Sequence, residues 1–124
     1  MKTLTLTILL GLSCINATAA EIENPKIQNH LSLIKEQLES TLYGWCQWDN
    51  KVFTTPYENE FYTEFPCQDG DYKYKFGTWL RYGTEISFRA ESYAASQSSL
   101  WSCLAEGKVV DDKVAIEISC KQIQ

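Results

Sequence analysis

The stretch Cys103–Cys120, CLAEGKVVDDKVAIEISC, decides the fold, because its apolar residues alternate with polar ones on both sides of an Asp111-Asp112 pair. Alternation of period two is the mark of a half-buried strand, and two such runs separated by two turn residues make an antiparallel hairpin. With Asp111-Asp112 as the turn, residues face each other when their numbers sum to 223. Val109 then opposes Val114, Gly107 opposes Ile116, Ala105 opposes Ile118 and Cys103 opposes Cys120. Counting from the hydrogen-bonded pair Val110 and Lys113, the two cysteines fall on a non-hydrogen-bonded pair, where Cα atoms are about 4.5 Å apart and a disulfide closes. The same register puts Glu106, Lys108, Lys113 and Glu117 on the opposite, wet face. A bulge at Gly107 would shift it.

The period-two pattern continues upstream. Ile86, Phe88 and Ala90 alternate with Glu85, Ser87, Arg89 and Glu91, and Tyr82-Gly83-Thr84 reads as the turn leading back to a strand with Trp79 and Arg81. Tyr72, Tyr74 and Phe76 alternate with Lys73 and Lys75, but their parity is opposite to that of Trp79. If both sets face the core, Gly77 is a bulge or a turn. Ala94 to Ser99 reads as a small-polar crossover. Residues 72–121 are thus expected to form an antiparallel sheet of about four strands.

Ahead of the sheet, Asn24-Pro25 reads as an N-cap followed by proline at the first helical position. Ile27, Leu31, Ile34, Leu38 and Leu42 recur at spacings of four and three, and Gly44 is a stop signal. The pattern predicts an amphipathic helix over residues 25–43, about five turns, packed on the sheet. The expected fold class is α+β: one N-terminal helix on about four antiparallel strands, with two disulfides.

The first 20 residues read differently. Met1-Lys2 is a short basic start, Leu4 to Leu12 is an apolar run, and Ala17-Thr18-Ala19 is a small-residue cleavage pattern. Residues 1–20 are expected to be a cleavable signal peptide and residues 21–124 a single exported globular domain, periplasmic or extracellular. The apolar run is about half the roughly 20 residues that span a bilayer, so no membrane insertion is expected. Cys14 leaves with the signal. Cys46, Cys67, Cys103 and Cys120 remain, an even count that reads as a disulfide framework. Three connectivities are open in principle. The hairpin register selects Cys103–Cys120, which leaves Cys46–Cys67 by elimination. Lys2 is the signal's only charged residue, so its loss takes the formal charge from -5 to -6. That balance argues against nucleic acid and anionic lipid as partners.

Residues 45–71 read as a loop rich in acids and aromatics. Asp49, Glu58, Glu60, Glu64, Asp69 and Asp71 stand against Lys51 alone, and Trp45, Trp48, Phe53, Tyr57, Phe61, Tyr62 and Phe65 are seven of the chain's aromatics. A loop of this length in a compact domain is usually functional. One reading has the rings plugging the open end of a small core. The other has them anchoring a protein partner, with the carboxylates steering a basic surface. On the second reading the binding residues are Trp45, Trp48, Asp49, Tyr57, Glu58, Glu60, Phe61, Tyr62 and Glu64. A sugar groove with stacked rings is a third possibility.

No catalytic residue, metal site or cofactor is expected. The single histidine, His30, lies on the flank of the helix stripe with no nucleophile beside it, and there is no CxxC pair. Asp69-Gly70-Asp71 lacks the spacing of an EF-hand calcium loop. Glu58, Glu60 and Glu64 are the carboxylates from which glycosidase chemistry would have to be built.

The order of parts, a helix, a loop, an antiparallel sheet and a C-terminal disulfide opening at Trp101-Ser102-Cys103 and closing at Cys120, resembles the globular head of type IV pilins and pseudopilins. In those heads a Trp-x-Cys strand and a cysteine near the C-terminus bracket a disulfide-bounded region. The resemblance covers the helix and about the last 45 residues. It implies a shared head fold, with a pilin-like structural subunit as the alternative function. A cleavable signal stands where pilins keep a long hydrophobic N-terminal helix, so the implied likeness is to the head and not to the filament.

Overall fold

Pro25–Leu42 form a single helix, α1, with Ile27, His30, Leu31, Ile34 and Leu38 buried along one stripe. Asn24 caps it: its Oδ1 accepts the backbone N–H groups of Lys26 at 3.0 Å and Ile27 at 3.3 Å. At the other end Glu39 ties the helix to the following chain, accepting the Cys46 N–H at 2.6 Å while pairing with Lys35 at 3.2 Å. These statements, like all that follow, concern a computed structural model that describes residues 19–42, 44–94 and 101–122. The predicted signal sequence, apart from Ala19 and Ala20, and the predicted crossover at 95–99 lie outside the described residues.

The sheet is much larger than expected. Among the described residues it holds eight strands: β1 (Glu21–Ile22), β2 (Trp45–Cys46), β3 (Val52–Thr54), β4 (Glu60–Asp69), β5 (Tyr72–Tyr82), β6 (Ile86–Ala94), β7 (Trp101–Val110) and β8 (Lys113–Gln122). Their order is β1-β3-β4-β5-β6-β7-β8, every pairing antiparallel, and β2 shares with β3 one edge of β4. The expectation of a helix on about four strands is therefore corrected: the domain is dominated by its sheet. The four strands read from residues 72–121 are present as β5 to β8, and the added ones come from the segment taken for a loop and from the chain ahead of the helix.

Residues 45–71, expected as a loop, instead carry β2, β3 and β4. Phe61, Thr63, Phe65 and Cys67 alternate inward along β4, but Tyr62 between the first two hides the period, and Pro66 argues against a strand. Pro66 is tolerated because it lies three residues from the turn-closing pair Asp69 and Tyr72. That makes it a non-hydrogen-bonded position of the β4/β5 ladder, where no N–H is used. Strands β1 and β3 are too short to carry a period and exist through the long-range pairing of Glu21 with Phe53 and Ile22 with Val52.

Gly77 is neither a bulge nor a turn. The registers run through it unbroken, with Glu64 on one side and Glu91 on the other. Trp79 and Phe76 simply point to opposite faces. The inner face carries Phe65, Phe76, Leu80, Phe88, Ala90, Ala105 and Val109, which are buried together with Ile27, Leu31, Ile34 and Leu38 of the helix.

The β7/β8 hairpin has the register that sums to 223, from Trp101 opposite Gln122 to Val110 opposite Lys113. Asp111 and Asp112 both adopt positive φ, 53° and 60°, as a two-residue turn of the kind that matches strand twist requires. No bulge interrupts Gly107, and a Cβ there would lie 2.9 Å from the Phe88 ring and run into the Ala115 carbonyl. Disulfides join Cys46 to Cys67 and Cys103 to Cys120, each pair directly opposite across a ladder with Cα atoms 4.0 Å apart. Two such bonds fit a non-reducing, extracytoplasmic environment. Among the described residues no helix is long and apolar enough to cross a membrane.

Candidate functional site

With α1 on the inner face, the alternating residues of the long strands form an outer face on which nothing packs among the described residues. Its central row crosses seven strands: Glu21, Phe53, Tyr62, Trp79, Arg89, Glu106 and Glu117 stand in register from β1 to β8. A second row runs Glu60, Arg81, Ser87, Lys108 and Ala115. The two rows border a shallow open groove of about 730 Å³ lined by Glu60, Trp79, Arg81, Arg89, Glu106 and Lys108.

At the centre of the groove's aromatic side, the Tyr62 and Trp79 rings sit 5.0 Å apart at a tilt of 52°, and the Arg89 guanidinium lies over Trp79 at 4.8 Å from its centroid. Arg89 also pairs with Glu91 at 3.2 Å. The Tyr62 hydroxyl donates to Glu64 at 2.9 Å, and Lys75 approaches Glu64 at 3.9 Å. Lys108 pairs with Glu85 at 2.9 Å. Gly77 lies close beside this cluster: a Cβ there would stand 2.9 Å from the Tyr62 hydroxyl oxygen, so a larger residue would make that ring shift.

The nine residues predicted to bind do not share one surface. Trp45, Glu60, Tyr62 and Glu64 point to the outer face, Trp45 being 49% exposed. Trp48 and Phe61 belong to the core side. The Trp48 Nε1–H donates to Thr63 at 2.8 Å with its ring edge-on to Phe65, and Phe61 meets Tyr82 edge-on. Asp49 accepts the Lys51 N–H at 3.0 Å in a turn. Tyr57, 73% exposed, and Glu58 lie in the turn between β3 and β4. The plug reading thus describes Trp48 and Phe61, the outer face takes in Trp45, Glu60, Tyr62 and Glu64, and Asp49, Tyr57 and Glu58 lie in turns. Sequence reasoning missed Trp79, Arg81, Arg89, Glu106 and Lys108. Had Trp79 been allowed its own parity, opposite to Phe76, the face would have followed.

Charge on the outer face is mixed. Glu60, Glu64, Glu91, Glu106 and Glu117 stand among Lys73, Lys75, Arg81, Arg89 and Lys108, so the acids of residues 45–71 do not gather into one patch. The groups with shifted titration lie on the other side of the sheet. Burial pushes Tyr82 up to about 12. Burial also raises Tyr74, with Asp69 adding to it, and lowers His30, with Lys26 adding and Asp112 opposing. His30 Nδ1 and the Tyr82 hydroxyl are 2.7 Å apart. Among the described residues no three His, Cys, Asp or Glu side chains are grouped to hold a metal ion.

No protein-family model matches the chain, and no curated protein or solved structure matches it either.

Proposed function

We propose that the chain is a small non-enzymatic binding module for a protein partner, working in the periplasm or outside the cell after residues 1–20 are removed, and that it engages the partner through the outer sheet face. The observation that carries this reading is the Tyr62-Trp79-Arg89 cluster beside an open groove, on a face that no described residue covers. Trp, Tyr and Arg are the residues in which binding energy concentrates at protein interfaces, most of all near the centre of the contact. The partner's matching surface is mixed in charge rather than purely basic, because Arg81 calls for an acid opposite it and Glu106 for a cation. An inhibitor or immunity protein acts through a surface of this kind. A sugar-stacking platform is less well served, since Arg89 covers the Trp79 ring. The single histidine's place on the core side, against Tyr82, fits a non-catalytic role.

Capture from a native envelope or secreted fraction tests this, with three oxidised baits: the mature chain, a Trp79→Ala/Arg81→Glu variant, and a Tyr57→Ala/Glu58→Gln variant. The proposal expects one partner, retained by the first and third baits and lost by the second. Titration of that partner should show a loss of affinity of about 30-fold for Trp79→Ala, the scale of a hot-spot residue. Binding that survives the groove variant but fails with Tyr57→Ala/Glu58→Gln would move the site to the β3/β4 turn. Retention of glycans instead would support the carbohydrate reading.

A further inference from the structure

Among the described residues one long edge of the sheet is open: β8 pairs with β7 and ends the strand order. It has ten residues, with no proline and no bulge, so it lacks two of the devices that blunt an edge. Starting from the turn-closing pair Val110 and Lys113, the odd-numbered residues of β8 bond to β7, and the N–H and C=O groups of residues 116, 118, 120 and 122 point away from it. Beneath that edge the core is incompletely closed. Val109 and Ala105 of β7 are buried, whereas their partners Val114 and Ile118, like Ile116, stay only partly buried.

Charge selects the occupant. Glu117 stands directly opposite Glu106, a like-charge pair that disfavours the isolated hairpin. On its free side Glu117 needs a cation, and β8 itself carries one at the right spacing, the exposed Lys121. We propose that a second copy of this chain pairs with β8 antiparallel about a two-fold axis through Ser119. Positions then oppose each other when their numbers sum to 238. Glu117 faces Lys121 of the other copy, twice, at non-hydrogen-bonded positions where side chains come closest. Ile118 comes to lie beside the other copy's Cys120, covering part of the half-open core. Competing registers lack this pairing: a sum of 236 leaves Glu117 opposite Ser119 and Lys121 opposite Ala115, and others fail on charge or length. A sum of 234 sets Glu117 on Glu117 and Lys113 on Lys121, and a sum of 230 pairs Lys113 with Glu117 over only five residues before reaching the turn.

Such an axis is perpendicular to the sheet, so the two sheets join into one with both helices on one side and both grooves on the other. This inference does not rest on the binding function proposed above.

Sedimentation of the oxidised mature chain over a micromolar to millimolar series tests it, and a reversible dimer is expected. Glu117→Lys should weaken association about tenfold or more, because two attractive pairs become repulsive. The same change relieves the clash with Glu106, so thermal melting should show the monomer folded and at least as stable as the parent. The reversal Glu117→Lys/Lys121→Glu should bring association back to within about threefold of the parent. Ser119→Cys should be trapped as a disulfide-linked dimer, while Ala115→Cys should not. A monomer at every concentration, a dimer indifferent to Glu117→Lys, or cross-linking through Ala115→Cys in place of Ser119→Cys would overturn the proposal. A β8 edge that takes a strand from a different protein and never from its own copy would overturn it equally.

Discussion

Changing Leu38 to Ala puts the helix-on-sheet arrangement to a quantitative test. Leu38 is 1% exposed and belongs to the core cluster that includes Phe65 and Phe76. The change deletes three carbon groups, worth about 2.4 kcal/mol at about 0.8 kcal/mol per buried methylene. A cavity term adds to this, because the floor under the helix is a hydrogen-bonded sheet that cannot slide in to fill the space. The expected loss is therefore about 3 to 4 kcal/mol, within the range of about 2 to 5 kcal/mol for buried Leu to Ala changes. For a domain of about 100 residues that corresponds to a fall in Tm of about 12 to 30 °C. Urea unfolding of the oxidised chain, followed by tryptophan fluorescence, measures it directly, with the slope m unchanged if only the native state is affected. Ser40→Ala, at an exposed position of the same helix, should stay within about 0.5 kcal/mol of the parent. A loss below about 1 kcal/mol for Leu38→Ala, with the control behaving as stated, would mean that the helix stripe does not close the core.

Removing either disulfide by a double Cys→Ser change should cost about 3 kcal/mol, since the bonds close chain separations of 21 and 17 residues, and the two costs should be similar in urea melts; a cost near zero for Cys103/Cys120 would show that the hairpin is already ordered in the unfolded chain. Stability should also depend on pH at both ends through the His30 and Tyr82 pair. Burial holds the folded His30 below its ordinary 6.5, so as pH falls through 6.5 the unfolded chain takes up a proton first and stability drops. Tyr82 is held up to about 12, so between 10 and 12 the unfolded chain loses its proton first and stability drops again. Tyr82→Phe should flatten the alkaline limb, and an unchanged limb would refute the assignment.

What could be read in the sequence was what is local. The helix stripe and the β7/β8 register are set by residues a few positions apart, and the Cys103–Cys120 pairing follows from the register alone. The strands that escaped have no local signature. In β4 the adjacent Phe61 and Tyr62 face opposite sides, and Pro66 sits where no ladder N–H is needed. The short β1 and β3 hold only because Glu21 meets Phe53 across a gap that contains the whole helix. The site was half legible for the same reason. Composition picks out Tyr62 and Glu64, whereas Trp79 has the opposite parity to Phe76, and facing both rings inward would take a bulge or a turn at Gly77 that the unbroken registers exclude.

The helix lies against β8, the last strand among the described residues, as well as against β2, which follows it directly. From β4 to β8 each strand pairs with the one before it, so the meander can add one strand at a time as the chain emerges. The helix must wait. Its apolar stripe has no complete floor until the β7/β8 hairpin has closed, so the helix, which precedes β2 to β8 in the chain, is among the last of these elements to find its place. A chain stopped short of β8 would carry Leu31, Ile34 and Leu38 with part of their cover missing, a stretch of greasy helix of the kind that chaperones hold and proteases cut. Quality control of this domain would thus be exercised at its N-terminal helix, although the fault it detects lies at the other end of the chain.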